Sequence, residues 1–461
     1  MRIAQASVAL VLCLLAFAVP GQAQTPTPTP TPATPAPGGA QTPTALSRVI
    51  GRVLTLEEAI AIALETAPLI QARLFEYLAA AHRVDQALAP LLPQLSGAWS
   101  TARTQNAARG VRAVGDPRPG GRAAQYTIDP ADEQMKATVT LSQLIFDFGK
   151  TFATTEAARR LAEVAQEDVE FQRQIITLTV KESFININFA RRLIRVQEQA
   201  LERADLNLRS ARGFFEVGTR PKSDVARAEV DVANARVALI QARNGEQIAR
   251  VALNTAMGIA ADTATEVQDN LIYQAMTLDR GQLQSQALKQ RPEYKQARLR
   301  VNEAEARMRA AFRDFFPDLN GSAFYGGRRA DLNEIWEIGL NLSWTIFDGG
   351  NKIAKLRETK ATVEATQARV KATELDISRE VEQAQLNVNE AQERIGAAQT
   401  AVASAQENFR LAQGRFDAGV GTILELTDAQ LFLTQAQNTE AQALADYRIF
   451  LARLERAIGR R

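Results

Sequence analysis

The sequence predicts an α+β membrane protein whose chain is two tandem copies of one unit. Three observations predict it: an internal repeat, alternating apolar segments of strand length, and helical stretches far longer than a globular domain uses. The repeat shows first in "LSQLIFDFGKT" at 141–151 and "LSWTIFDGGNK" at 342–352, whose aspartates Asp147 and Asp348 stand 201 residues apart. The same offset lays Phe416 on Phe215, Gly419 on Gly218 and Gly459 on Gly258. Upstream the offset is 224: it pairs Pro68 with Pro292 in "APLIQAR" and "RPEYKQAR", and Pro93 with Pro317. The first copy therefore carries 23 extra residues between Pro93 and Asp147. Self-similarity of this kind is the mark of a duplicated structural unit.

In order along each copy, Pro68 and Pro292 suit the first turn of a helix. Those helices run to about Ala89 and Phe316, where a following proline stops them. Two alternating segments come next. In the second copy Trp336, Ile338, Leu340, Leu342, Trp344 and Ile346 point one way, and Glu337, Gly339, Asn341, Ser343 and Thr345 the other. In the first copy Ala137, Val139, Leu141 and Ile145 oppose Lys136, Thr138, Thr140 and Ser142. Period two over about 10 residues fits a barrel strand with one face to lipid and one to water. A soluble hairpin with a half-buried face satisfies the same period. The partner strands are expected near 95–103 and 319–328.

The long helices carry a seven-residue repeat. Val363, Val370, Ile377, Ala384, Ala391, Ala398, Ala405 and Ala412 form one seam; Val381, Val388, Ile395, Val402, Phe409 and Phe416 form the other. Shifted by 201, the second seam becomes Val180, Ile187, Ile194, Leu201, Leu208 and Phe215. A sustained heptad gives left-handed coiled-coil packing. A helix over 149–216 would extend ~100 Å, and helices over 68–89 and 222–257 laid end to end would nearly match it at ~87 Å. Each copy thus reads as one continuous helix beside two abutting ones.

The domain plan that follows is a signal peptide at 1–23, a Pro/Thr-rich linker at 24–52, a first repeat at 53–258, a connection at 259–290 and a second repeat at 291–461. The signal reading rests on Arg2, the apolar stretch 8–19 and a cut after Ala23. Its apolar core is too short to span a bilayer as a helix. Cys13, the single cysteine, lies inside it, and Leu12 is bulky where a lipid-attachment site wants a small residue. The tether "TPTPTPTPATPAPGG" at 25–39 reads as a semi-rigid extended spacer. The hairpin loop at 104–129 holds "ARGVRAVGDPRPGGR", four arginines to one aspartate, and is expected at the surface, within reach of anionic lipid head groups.

Composition excludes several function classes. Net charge is +2 and no basic stripe with interleaved aromatics occurs, so nucleic acid is not the expected partner. One histidine and one cysteine leave no set for a His/Cys metal site, and no cofactor motif is present. No catalytic motif stands out either: the paired acids Glu425 and Asp428 sit in a repeated turn, and His82 lies on an alanine-rich helix. The protein is read as a non-enzyme.

Two copies give four strands, too few to close a membrane barrel, and an open edge in lipid is not viable. The chain must share a barrel with others of its kind; strand arithmetic does not choose between two chains and three. The duplicated "IFDxG" before a heptad helix, together with the turns "FEVGTRPKSDVARAE" and "FDAGVGTILELTDAQ", resembles TolC-type outer-membrane efflux proteins from about Leu54 to Gly459. The resemblance implies a homotrimer, with a 12-stranded transmembrane β-barrel in the outer membrane continued by a periplasmic α-helical barrel, and an equatorial band around 259–290. It implies the exit duct of a tripartite efflux or type I secretion system, joined to a periplasmic adaptor and an inner-membrane pump. By the same resemblance Asp224, Glu425 and Asp428 match acids at a periplasmic gate and Arg220 a lock, its partner not given by the sequence. Departures are Arg227, where the pattern has an acid, and Gly421, where it often has arginine. The competing reading is an exported coiled-coil scaffold or adhesin without a pore.

Overall fold

The computed structural model describes residues 52–105, 131–269, 271–273, 279–328 and 333–460. The signal peptide, the Thr/Pro tether and most of the loop at 104–129 lie outside the described residues. In chain order the elements are β1 (Val53–Leu54), α1 (Leu56–Thr66), α2 (Pro68–Leu88), β2 (Gln94–Gln105), β3 (Ala131–Phe146), α3 (Lys150–Glu216) and α4 (Lys222–Ala256). Then follow β4 (Glu266–Val267), α5 (Arg280–Gln290), α6 (Pro292–Arg313), β5 (Asp318–Arg328), β6 (Asn333–Ser343), α7 (Asn351–Asp417) and α8 (Ile423–Ala457).

Local chemistry sets the boundaries. Thr55 and Glu58 close a capping box on α1, Glu58 N donating to Thr55 Oγ1 at 3.3 Å and Thr55 N to Glu58 Oε2 at 2.9 Å. Pro68 and Pro292 occupy the first turns of α2 and α6, where a missing N–H costs nothing. The 224-residue offset also carries α1 onto α5. The repeat therefore includes a helix ahead of each proline, and the stretch 259–290 ends in one.

The four long strands form one antiparallel sheet in the order β2-β3-β5-β6. Its register aligns Leu95, Leu141, Ala323 and Ile338 in one row and Gly97, Val139, Tyr325 and Trp336 in the next. Residues directly opposite share a face, so these rows make one apolar face. Ser96, Thr140, Phe324 and Glu337 make a row on the other face, which is largely polar. Trp336, Ile338, Leu340 and Leu342 are each more than 60% exposed in the single chain. β6 ends at Ser343, however, so Trp344 and Ile346 stand past the strand rather than on it. The Trp344 indole N–H donates to the Phe315 carbonyl at 3.0 Å, which turns the chain out of the sheet. β2 and β6 each pair on one side only, leaving both sheet edges open.

Each long helix has 67 residues, ~100 Å at 1.5 Å per residue. α3 packs against α2 and α4, α7 against α6 and α8, and α3 also against α6 and α8. The short helices abut as expected. Thr66 Oγ1 donates to the Met257 carbonyl where α4 ends and α2 begins. A Cβ at Gly258 (φ +71°) would lie 3.3 Å from the Thr66 and Ala67 backbone, and one at Gly459 (φ +79°) 2.9 Å from Gln290 Cβ. Only glycine takes both the backbone and the gap.

Two cores sit at this level. One gathers Ile62, Ile176, Val180, Ile187, Leu253 and Met257; the other gathers Leu283, Ile377, Val381, Val388, Leu454 and Ile458. The heptad seam holds along α7, where Val381, Val388, Ile395 and Phe416 are buried. It holds on α3 through Val180 and Ile187. Toward the end of α3 the buried positions become Ala204, Asn207 and Ala211, and Phe215 is exposed. Phe214 makes the contact instead, its ring 5.7 Å from that of Phe416. Among the described residues no helix is long and apolar enough to cross a membrane.

Candidate functional site

At one end of the long helices each strand turns into a helix through the Phe-Asp-x-Gly motif. Asp147 is buried and accepts from Gly149 N at 2.9 Å and Thr151 N at 2.6 Å; Asp348 accepts from Lys352 N at 3.0 Å. These carboxylates satisfy backbone donors left open at a helix start. Gly149 and Gly350 take the left-handed N-cap position, φ +81° and +88°.

At the other end the helices reverse through two turns with one backbone. Gly218 N donates to Phe215 O and Thr219 N to Phe214 O, both at 2.9 Å. Gly419 N donates to Phe416 O and Val420 N to Arg415 O, both at 3.0 Å. Glycine at φ +78° closes both, as a Schellman-type helix end requires.

The side chains then diverge. Arg220 reaches from the first turn to the second, its Nη2 donating to the Gly421 carbonyl at 2.5 Å. Its guanidinium carbon lies 4.7 Å from the Phe416 ring centre, and Nη1 is 3.7 Å from Asp224 Oδ2. The Arg220 side chain is only 14% exposed. Gly421 is its counterpart at offset 201, and a Cβ there would sit 3.0 Å from the Arg415 and Phe416 backbone. The arginine of one repeat is thus bonded to the backbone of its own counterpart in the other. Below it Phe416, Ile423, Leu426 and Ala429 form a small core with Phe214 and Phe409.

Of the four predicted gate residues the structure brings together Arg220 and Asp224. Glu425 and Asp428 lie on the other hairpin, both exposed, three residues apart on α8. Glu425 faces Arg415 at 3.7 Å. Sequence reasoning missed Arg415 and the carbonyl that receives Arg220. It also missed a ladder between α3 and α8: Lys181–Glu455 at 2.6 Å, Glu182–Arg453 at 2.7 Å, Arg203–Thr434 at 3.4 Å and Asn207–Gln430 at 2.8 Å. Arg203 with Asn207 and Gln430 with Thr434, polar pairs each four residues apart, were the available signal. His82 is exposed beside Asp85, Nδ1 to Oδ2 3.3 Å.

A sheet apolar on one face, joined through capped junctions to paired helical hairpins, defines a strand-and-hairpin class of protein. Solved structures share the fold: the outer membrane protein VceC from Vibrio cholerae superposes with a TM-score of 0.72 at 19% identity, covering 88% of this chain and 96% of that one. The chain belongs to the outer membrane efflux protein family, whose sequence profile matches residues 59–259 and 283–460. Curated relatives include outer membrane protein TolC of Escherichia coli strain K12, 29% identical over 190 residues (41% of this chain, 37% of TolC). Another is the alkaline protease secretion protein AprF of Pseudomonas aeruginosa, 24% identical over 317 residues (66% of this chain, 63% of AprF). The matched stretches span between 37% and 63% of the curated relatives' lengths.

Proposed function

We propose that this protein is the outer-membrane exit duct of a tripartite efflux or type I secretion system. Three copies pool their sheets into a 12-stranded barrel in the outer membrane, and their helices form a hollow periplasmic barrel. The carrying observation is the sheet: four antiparallel strands, apolar on one face and unpaired at both edges. Backbone groups left open in lipid must be satisfied by neighbouring strands. The apolar row Val230, Val237 and Val251 on α4, exposed in the single chain, offers a second surface for a neighbouring copy. Family membership and the names of TolC and AprF support export over a poreless scaffold or adhesin.

In this reading outer membrane lipid meets Trp336, Ile338, Leu340 and Leu342, and a periplasmic adaptor protein and an inner-membrane pump engage the opposite end. Arg220 and Asp224 latch the two tip turns of each protomer. Glu425 and Asp428, exposed on one helix face, form acidic rings at the entrance and favour cations by charge focusing. No catalytic group is needed, since passage is driven by the pump.

The test is single-channel recording of the purified protein in planar bilayers, with subunit number read by native mass spectrometry. Stepwise conductance from a trimer is the expected result. A membrane-inserted trimer that passes no ions under any applied voltage would overturn the duct.

A further inference from the structure

Phe324, half-buried on β5, is the single aromatic residue on the polar face of the described strands. It stands directly opposite Thr140 on β3 and Glu337 on β6. Residues so opposed carry their Cβ atoms about 4.5–5.5 Å apart, so the ring and the carboxylate form one patch. Glu337 is exposed, and among the described residues it has no ion-pair or hydrogen-bond partner.

The nearby cation does not go to that acid. Lys136, on β3, extends its ammonium over the Phe324 ring instead, Nζ 5.3 Å from the ring centre. Lys136 is also without an acid partner among the described residues. Arg328, in register with Lys136 on the same face, has a partner of its own. The repeat sharpens the oddity. At offset 201 Lys136 is the counterpart of Glu337, and at offset 224 Ser100 is the counterpart of Phe324. Both pairs stand opposite one another in their hairpins, Ser100 with Lys136 and Phe324 with Glu337. The first copy thus sets a cation against a hydroxyl where the second sets an acid against an aromatic ring.

We propose that Phe324 and Glu337 form a binding patch for amphipathic organic ammonium ions on the wall of the duct. This rests on the duct reading given above, in which the polar face lines the passage. The ring offers the negative face of its π system to a cation, and the carboxylate supplies the counter-charge. The Lys136 ammonium is the chain's own stand-in for such a cargo, and it marks the ring face as a cation seat. A quaternary ammonium has no N–H to strip of water, so it displaces the strongly hydrated lysine head from the ring. Lys136 then swings aside on its flexible stem.

The test uses the full chain in zwitterionic lipid nanodiscs, with Glu425→Ala and Asp428→Ala present throughout to remove the other exposed acids. The probe is benzyltrimethylammonium, its binding read by NMR line broadening against empty discs; benzenesulfonate is the anionic control. Phe324→Leu should raise the dissociation constant by about fivefold, the worth of a cation–π contact in a wet site. Glu337→Gln should raise it as well, Lys136→Met should lower it, and benzenesulfonate should not bind. Conductance in planar bilayers reports that each variant folds and inserts. Should Phe324→Leu fail to insert, the opposite signs expected of Glu337→Gln and Lys136→Met carry the test. Wild-type binding in Phe324→Leu, or weaker binding in Lys136→Met, would overturn the patch. A protein that conducts but binds no probe overturns the patch alone and leaves the duct standing. If the protein passes no ions, the duct reading falls and the patch with it.

Discussion

The two repeats share one backbone and differ in where they place charge. At the strand end they agree, Asp147 and Asp348 both capping the helix that follows. At the joint between the short helices they part: Ala67 and Leu69 stand where the second repeat has Arg291 and Glu293. Arg291, 3% exposed, bonds Glu293 and Glu380, both at 2.6 Å. At the tips they become complements, Arg220 of the first turn donating to the Gly421 carbonyl of the second. Where both copies do the same job the duplication stays symmetric. Where they must mate with each other, it cannot.

The comparison breaks most easily at the membrane end. Leu340→Arg and its counterpart Val139→Arg should each destabilise insertion by ~2–4 kcal/mol at mid-membrane depth, whereas Ser343→Arg and Ser142→Arg on the polar face should be tolerated. Urea titration of refolding in lipid vesicles measures this. Equal tolerance on both faces would remove the lipid face.

At the tips, Arg220→Ala removes a charge-assisted hydrogen bond of about 1.5–3 kcal/mol. The expected outcome is a larger single-channel conductance with the trimer intact. An unchanged conductance would mean the latch does not restrain the entrance. At the junctions, Asp147→Ala should cost more of a cap's ~0.5–2 kcal/mol than Asp348→Ala, since Asp147 accepts two backbone bonds at hydrogen-bond distance and Asp348 one. Hydrogen exchange in the first turns of α3 and α7 distinguishes them.

The second joint carries a depressed carboxyl. Burial pushes the Glu293 carboxyl up, but the hydrogen bond and charge of Arg291, a backbone N–H and Arg456 outweigh it and hold it below the usual carboxylate range. A depressed carboxyl stabilises the fold above its ordinary range and loses that contribution as pH falls through the folded value. The second joint should therefore weaken in acid as the Glu293 carboxyl takes up its proton. Glu293→Gln should flatten the acid limb of the melting curve; an unaltered limb would place the acid sensitivity elsewhere. The smallest effect on stability is expected from Glu425→Ala with Asp428→Ala, which should lower cation selectivity without changing the melt. Unaltered reversal potentials would refute the acidic rings.

Periodic features were legible in the sequence because period maps directly onto geometry. Alternation gave the strands and heptads the helices, and the Phe-Asp-x-Gly copies marked both junctions. The helix α1 and its partner α5 were not paired because "LEEAIAIALET" and "RGQLQSQALKQ" share a shape but few residue types. The end of β6 was placed too late, since alternation continues through Trp344 and Ile346 after the backbone has left its ladder. Among the candidate gate residues Asp224 and Arg220 were legible as charges. The acceptor of Arg220 was not, because a backbone carbonyl has no letter in a sequence. Phe214 was missed for Phe215 because the face that packs near the tip follows from the neighbours there.

One consequence of the abutting helices is mechanical. Gly258 and Gly459 put both breaks near the same height, and Gln174 Nε2 on α3 donates to the Gly459 carbonyl there at 3.1 Å. Only the unbroken helices α3 and α7 cross that level. From Val180 to the end of α3 the helix makes a lever arm of about 54 Å. A tilt of about 5° at the joint would therefore swing the tip by ~5 Å over an arm of that length. Small repacking around the two glycines would therefore become a movement of that size at the hairpin tips.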